Sequence, residues 1–276
     1  MKSRPLTRVN LDKAIARLAQ NDPRLTVDIR MSMANAIVGQ FLPEGVVKGG
    51  TSLKFRFGGA NARYTMDLDT SWKTDLDTFV KKLKGNLSAG WEGFSGDVVI
   101  CPQAAPKGIP FDYVMQPCDV KLSYMGRSWC SVRLEIGHNE IGDADEADMT
   151  PVPADLAKVF TSLCFPVPTA LPLMQLHFQI AQKLHGATGE RSRRAHDLID
   201  LQLIIKNEPK VDFGKVREAC VRLFAYRKCQ TWPPVVAKGA DWETVYSSRK
   251  LDLPVLPTVG EAIGWANELI STIDKA

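Results

Sequence analysis

Asp67 and Asp69 stand one residue apart in the run Arg63-Tyr64-Thr65-Met66-Asp67-Leu68-Asp69, which alternates like a strand. On a strand, residues two apart project from the same face, which brings the two carboxylates close together. Like charges at that separation repel. A hard dication between them reverses the sign, and Mg²⁺ (or Mn²⁺) is commonly held by one or two carboxylates together with substrate phosphates. An ion so placed bridges the two oxygens of an in-line displacement at phosphorus, activating an attacking hydroxyl and neutralising a departing pyrophosphate. Alternating aspartates also decorate exposed sheet faces. Asp75 and Asp77 are assigned to structure, because Thr74-Asp75 reads as a helix cap and helical spacing follows.

Upstream, Val46-Val47-Lys48 is a short apolar strand running into Gly49-Gly50-Thr51. Glycines permit close backbone approach, the amides of a helix start receive phosphate oxygens, and Thr51 adds a hydroxyl donor. Taken alone, the glycine pair is a tight turn. Strand, glycine pair, hydroxyl residue, helix, and then a strand bearing Asp-x-Asp together place a phosphate cradle beside a metal site. Arg63 and Thr65 are spaced by two from Asp67 and so are expected on its face, with Arg63 able to meet a phosphate. A third carboxylate from a neighbouring strand is sought at Glu135, with Asp119 as the competing choice and solvent exposure beside Arg133 as the plain reading. The four histidines show no ligand spacing with cysteine, no serine sits in a nucleophile elbow, and the Gly45–Gly50 stretch lacks the Gly-Lys-Ser/Thr ending of a P-loop.

Helices are expected where Leu11, Ile15 and Leu18 recur, from Thr26 as cap to Phe41, and from Asp75 to Leu87. Strands are expected at 97–101, 112–124 and 128–136, the last two joined as a hairpin through Met125-Gly126-Arg127. Prolines 151, 153, 166, 168 and 172 punctuate a connection. Helical patterns follow at 173–184, 193–205, 213–226 and 260–273. The pattern implies an α+β fold: residues 1–150 as an α/β-type sheet flanked by helices, with the N-terminal helices ahead of it, and 151–276 as a mostly α-helical lobe.

At 276 residues, with 45% hydrophobic and 24% charged residues, the chain has the composition of a folded globular protein rather than a disordered one. No apolar run approaches the roughly 20 residues that span a bilayer, and the polar start lacks the core of a signal peptide, so no membrane association and a cytoplasmic location are expected. Six scattered cysteines without metal spacing read as reduced thiols. Net charge is +4, yet residues 183–250 carry 14 Lys or Arg against 8 Asp or Glu. That basic segment, interspersed with Tyr226, Trp232, Trp242 and Tyr246, suits either a polyanion surface with stacking aromatics or a solvated helical face over an aromatic core.

Lys48-Gly49-Gly50-Thr51-Ser52-Leu53 followed by the Asp67-Leu68-Asp69 segment resembles the opening motif of the AbiEii/MenT-type toxins of the nucleotidyltransferase superfamily. Gln179-Ile180-Ala181-Gln182-Lys183-Leu184-His185 and the run Arg191 to Leu201, which contains Asp197, are similar to that family's later lysine and aspartate motifs. The resemblance implies a two-lobed enzyme with Asp67 and Asp69 as catalytic carboxylates, assisted by Lys183 and Asp197. It further implies an NTP substrate, a cognate antitoxin, and addition of nucleotides to the 3′ acceptor end of tRNA, which blocks translation. In some members a hydroxyl residue two before the first aspartate is phosphorylated, which makes Thr65 a regulatory candidate. By its own spacing Lys183 extends from the rim of a helix face toward triphosphate oxygens or into solvent, and Asp197 either orients it or pairs with Arg193 one helical turn away. A protein or small-molecule acceptor, and a non-catalytic RNA- or antitoxin-binding module, are the competing functions.

Overall fold

A computed structural model describes residues 3–73, 75–103 and 114–276. Thr74 and the first two residues of the expected 112–124 strand lie outside the described residues. The chain divides into two compact units. One takes the described residues of 1–58, 65–139 and 144–173; the other takes 59–64, 140–143 and 174–276.

The first unit opens with helices α1 (Arg8–Leu18) and α2 (Pro23–Gln40). α1 buries Leu11 and Ile15, while Leu18 stays at the surface. α2 starts earlier than expected. Asp22, not Thr26, is its cap, accepting from the Leu25 amide, and Pro23 occupies the first turn where its missing N–H is not needed. Strand β1 (Val46–Lys48) leads directly into α3 (Gly49–Phe57), and β2 (Leu68–Ser71) returns antiparallel to β1. Asp75 caps α4 (Leu76–Ala89) through the Thr78 amide, and the helix buries Phe79, Val80, Leu83 and Leu87.

β3 (Phe94–Ile100), β4 (Gln116–Tyr124) and β5 (Arg127–Gly137) form an antiparallel meander. The β4–β5 hairpin turns on Met125 and Gly126 at φ 50° and 71°, the left-handed pair that a two-residue loop requires. β6 (Asp148–Thr150), α5 (Ala154–Ser162) and β7 (Leu171–Leu173) complete the unit. The seven strands are ordered β3-β4-β5-β2-β1-β7-β6, with β2–β5 and β1–β7 parallel.

The division expected near residue 150 thus falls at Leu173. Residues 151–173 are not a bare connection: Leu156 and Phe160 give α5 a buried face, and β7 pairs with β1. Prolines hid both elements, since β7 is only three residues long and carries Pro172 at its centre. Phe94, 1% exposed, anchors the core, with ring centroids 4.6 Å from Tyr124, 5.1 Å from Trp129 and 5.3 Å from Phe165.

The second unit is helical: α6 (Leu176–Thr188), α7 (His196–Asn207), α8 (Phe213–Arg227), α9 (Trp242–Arg249) and α10 (Val259–Asp274). A capping box between Thr258 and Glu261 starts α10. Trp242 and Tyr246 are core residues of this unit. The indole Nε1 donates to the Ser192 carbonyl at 2.6 Å and the Tyr246 hydroxyl to the Leu256 carbonyl at 2.8 Å. Neither presents a ring for base stacking, whereas Tyr226 is exposed. The architecture is α+β, a mixed sheet with flanking helices in one unit and a helical second unit. Among the described residues no helix is long and apolar enough to cross a membrane.

Truncating Phe94 leaves a large void among rings that cannot collapse onto it. Phe94→Ala is expected to lower unfolding free energy by about 3–5 kcal/mol, measured by urea denaturation.

Candidate active site

The register of the sheet assembles the carboxylates. Asp69 on β2 lies opposite Glu135 on β5. Paired residues on adjacent strands share a face, so these two side chains are neighbours. Glu135 is half-buried, and burial first, then the charges of Asp69 and Asp67, raises its carboxyl above the ordinary range. That response places all three acidic groups within electrostatic reach of one another. Asp119, the competing third carboxylate, lies one strand further out opposite Arg133, and its carboxyl is engaged by Lys121 at 2.9 Å. It is held below the ordinary range by that lysine.

Asp67 precedes the strand rather than belonging to it, since β2 begins at Leu68. Its backbone is fixed from elsewhere: the Thr51 hydroxyl donates to the Asp67 carbonyl at 2.6 Å, and Asn35 Nδ2 donates to the Met66 carbonyl at 3.3 Å. Thr51, expected to offer its hydroxyl to a phosphate, is 1% exposed and spends it on this bond. Gly49 has φ +68°, and a Cβ built there would come within 2.0 Å of Asp69 Oδ2. The bare α-carbon therefore makes room for the carboxylate itself, at the first residue of α3.

Arg63 and Thr65 do not continue a strand face with the aspartates. Residues 63–67 lie outside any strand or ladder. Thr65 is half-buried in the first unit; Arg63 belongs to the second, where its Nε donates to both oxygens of Asp200 at 3.0 and 3.1 Å. There it joins a buried network. Lys183, 4% exposed, lies 2.6 Å from Asp200 Oδ2 and 3.4 Å from Asp197 Oδ1. The expectation of a lysine extended from the helix rim is replaced by an enclosed ammonium.

Asp197 is fully buried and pairs with Arg194 at 2.6 Å, not with Arg193, because α7 begins only at His196. Burial pushes its carboxyl up, but Arg194 and Lys183 outweigh burial and hold it below the carboxylate range. Gly186 of α6 admits this contact: a Cβ there would meet Arg194 Nε at 2.7 Å and Asp197 Oδ2 at 2.8 Å. Asp200 was legible only as the next acidic residue on the α7 face three positions after Asp197, and was given no role by its spacing. Lys48 likewise passed as part of a glycine motif.

Nearby in the same unit, Arg227 clamps Glu140 through two bonds at 2.8 and 3.0 Å, and its Nη1 lies 3.2 Å from His185 Nδ1. Burial, then the Arg227 charge, pushes the His185 ring down to about 4. Burial also brings His196 down to about 4 against the opposing pull of Asp197. All six cysteines are free thiols, and burial raises Cys118 to about 11.

Three carboxylates offering only oxygen donors fit a hard cation such as Mg²⁺. Among the described residues no group of three or more His, Cys, Asp or Glu side chains is placed to hold a metal ion by itself. The fit rests on the donor chemistry and on the register that sets Glu135 beside Asp69.

A family model described as nucleotidyl transferase AbiEii toxin, type IV toxin–antitoxin system, matches residues 33–263. The chain belongs to this family. Among solved structures, one similar to it is MenT4, nucleotidyltransferase toxin Rv2826c from Mycobacterium tuberculosis H37Rv. That match has a TM-score of 0.52 and 19% identity, covering 98% of each chain. JHP933 from Helicobacter pylori matches with a TM-score of 0.44 and 17% identity over 88% of this chain and 89% of that one. At these identities the likeness is one of fold. No curated protein matches by sequence. The AbiEii match takes in Gly49, Asp67, Asp69, Glu135, Lys183, Asp197 and Asp200 alike.

Gly49→Ala is expected to push Asp69 off its seat and strain the backbone, lowering unfolding free energy by about 1–3 kcal/mol, measured by urea denaturation. The histidines give a pH dependence. Unfolded histidine titrates near 6.5, so between about 6.5 and about 4 the unfolded chain binds the extra protons. Stability is complete above this window and is lost as pH falls through it, by up to about 3 kcal/mol for each buried ring. Thermal unfolding from pH 7 to pH 4 should show this slope, and His185→Phe should flatten it.

Proposed function

We propose that this chain is a metal-dependent nucleotidyltransferase, the toxin of a toxin–antitoxin pair, which transfers a nucleotide from an NTP to the 3′ acceptor end of tRNA. The observation that carries the reading is the in-register pair Asp69–Glu135, seated against the glycine that opens α3, in a chain of the AbiEii family. In this reading Asp67, Asp69 and Glu135 hold Mg²⁺ or Mn²⁺, and the ion supplies charge neutralisation for the triphosphate and an activated hydroxyl.

The chain's own residues position and orient. Thr51 and Asn35 fix the backbone that delivers Asp67. The amide-rich start of α3, at Gly49 and Gly50, receives phosphate oxygens at the positive end of the helix. In the second unit Lys183, Arg63 and Arg194 outnumber Asp197 and Asp200, leaving an excess positive charge that suits a polyphosphate. Asp197 and Asp200 hold the Lys183 amine in one place. Thr65, two residues before Asp67, is the position whose phosphorylation would add negative charge beside the carboxylates and oppose binding of an NTP. A nucleotide added to the acceptor end blocks aminoacylation and hence translation, and a cognate antitoxin is the expected partner.

Incubation with each labelled NTP, Mg²⁺ and total tRNA, followed by sequencing of RNA 3′ ends, tests acceptor and nucleotide together. Label on tRNA that falls at least about a hundredfold in Asp67→Ala and Asp69→Ala is the expected result. Equal labelling by those variants refutes the site. Label on a protein or small molecule instead refutes the tRNA acceptor, and RNA binding without any turnover refutes transfer.

A further inference from the structure

Lys48 has no role in the reading above, yet the fold sets it in the carboxylate row. The β1–β2 register places Lys48 opposite Asp69, and the β2–β5 register places Asp69 opposite Glu135. Three ionisable side chains on three adjacent strands therefore share one face. The lysine crosses that face toward the far strand. A Cβ built on Gly137 of β5 would lie 2.6 Å from Lys48 Nζ and 3.4 Å from its Cε. Gly137 is buried, and its φ is not in the left-handed region, so glycine serves here as space for the ammonium rather than for backbone freedom. Lys48 is also among the charges that favour the ionised form of Glu135.

Two carboxylates side by side in a half-buried sheet face need a cation. Arg133, two residues before Glu135 on β5, also favours its ionised form, but it is engaged by Asp119 on β4, on the side of β5 away from Asp69. The positive group in register with both carboxylates is the Lys48 ammonium. We propose that Lys48 is the built-in counter-cation of the Asp69–Glu135 pair, and that a divalent ion binds there by exchange with its ammonium. This rests on the metal reading of the site and deepens it. One positive charge holds the row together when no metal is present; a dication supplies two and wins the carboxylates. The lysine then sets the metal concentration at which the site fills, because every binding event has to displace or outweigh it.

The test is Mn²⁺ titration of the full chain without nucleotide, by electron paramagnetic resonance of free Mn²⁺, with thermal unfolding in parallel. Lys48→Met is expected to bind Mn²⁺ at least about tenfold more tightly. It is also expected to unfold at lower temperature than wild type without metal, and to recover more on adding Mn²⁺. Gly137→Ala keeps the lysine but fills its seat, and should shift affinity in the same direction, so it carries the test should Lys48→Met not fold. Wild-type binding with unchanged or weaker affinity in the folded variants overturns the role of Lys48 and leaves the transferase reading standing. Absence of Mn²⁺ binding in wild type and variants alike overturns the metal site and the exchange together.

Discussion

Asp69 and Glu135 face each other across neighbouring parallel strands, and the cost of holding two carboxylates there shapes what surrounds them. Sheet register is rigid, because a slip of one residue on β2 would turn Asp69 away and bury Thr70's neighbourhood on the wrong side. The repulsion therefore cannot be relieved by sliding. It is met by chemistry instead: Glu135 is shifted toward its protonated form, Lys48 stands in the same row, and Gly49 gives up a side chain so that the Asp69 carboxylate has a seat. The hydroxyl and amide that hold the Met66 and Asp67 carbonyls keep the approach to this row from relaxing.

The second unit solves a related problem with the opposite balance. Asp197 and Asp200 are enclosed, and burying them is tolerable only because Lys183, Arg63 and Arg194 satisfy their oxygens at 2.6–3.4 Å. Asp200 is the hinge of the network, since it alone is shared by Lys183 and Arg63. Such a network contributes little net stability compared with apolar packing, but removing one member strands the others in a low-dielectric interior. Its value lies in fixing a lysine that would otherwise sample many rotamers.

Family membership argues for a nucleotidyltransferase toxin, and an acceptor is chosen by the site rather than by the fold. The basic segment of residues 183–250 suits either an aromatic-studded surface or a solvated face over an aromatic core, and two of its four aromatics lie in the core. Trp242 and Tyr246 are enclosed while Tyr226 stays exposed, and burial of the first two is as expected for side chains large enough to dominate core packing.

Local chemistry was enough to read several elements from the chain alone. Asp75 ahead of an apolar helical stripe marked α4, the Met125-Gly126 pair marked the hairpin, and the spacing of Asp67 and Asp69 after Gly49-Gly50-Thr51 marked the acidic site. Each depends on residues within a few positions of one another, where periodicity and capping are informative. What needed the tertiary structure were pairings between distant segments. Glu135 rather than Asp119 lies beside Asp69 because β5, not β4, pairs with β2. Lys48 lies opposite Asp69 because β1 flanks β2 on the other side. Lys183 is buried because Asp200 and Asp197 rise from a second helix to meet it. Strand order and helix docking are set by the burial of the whole core, a sum over many remote contacts that no local spacing records.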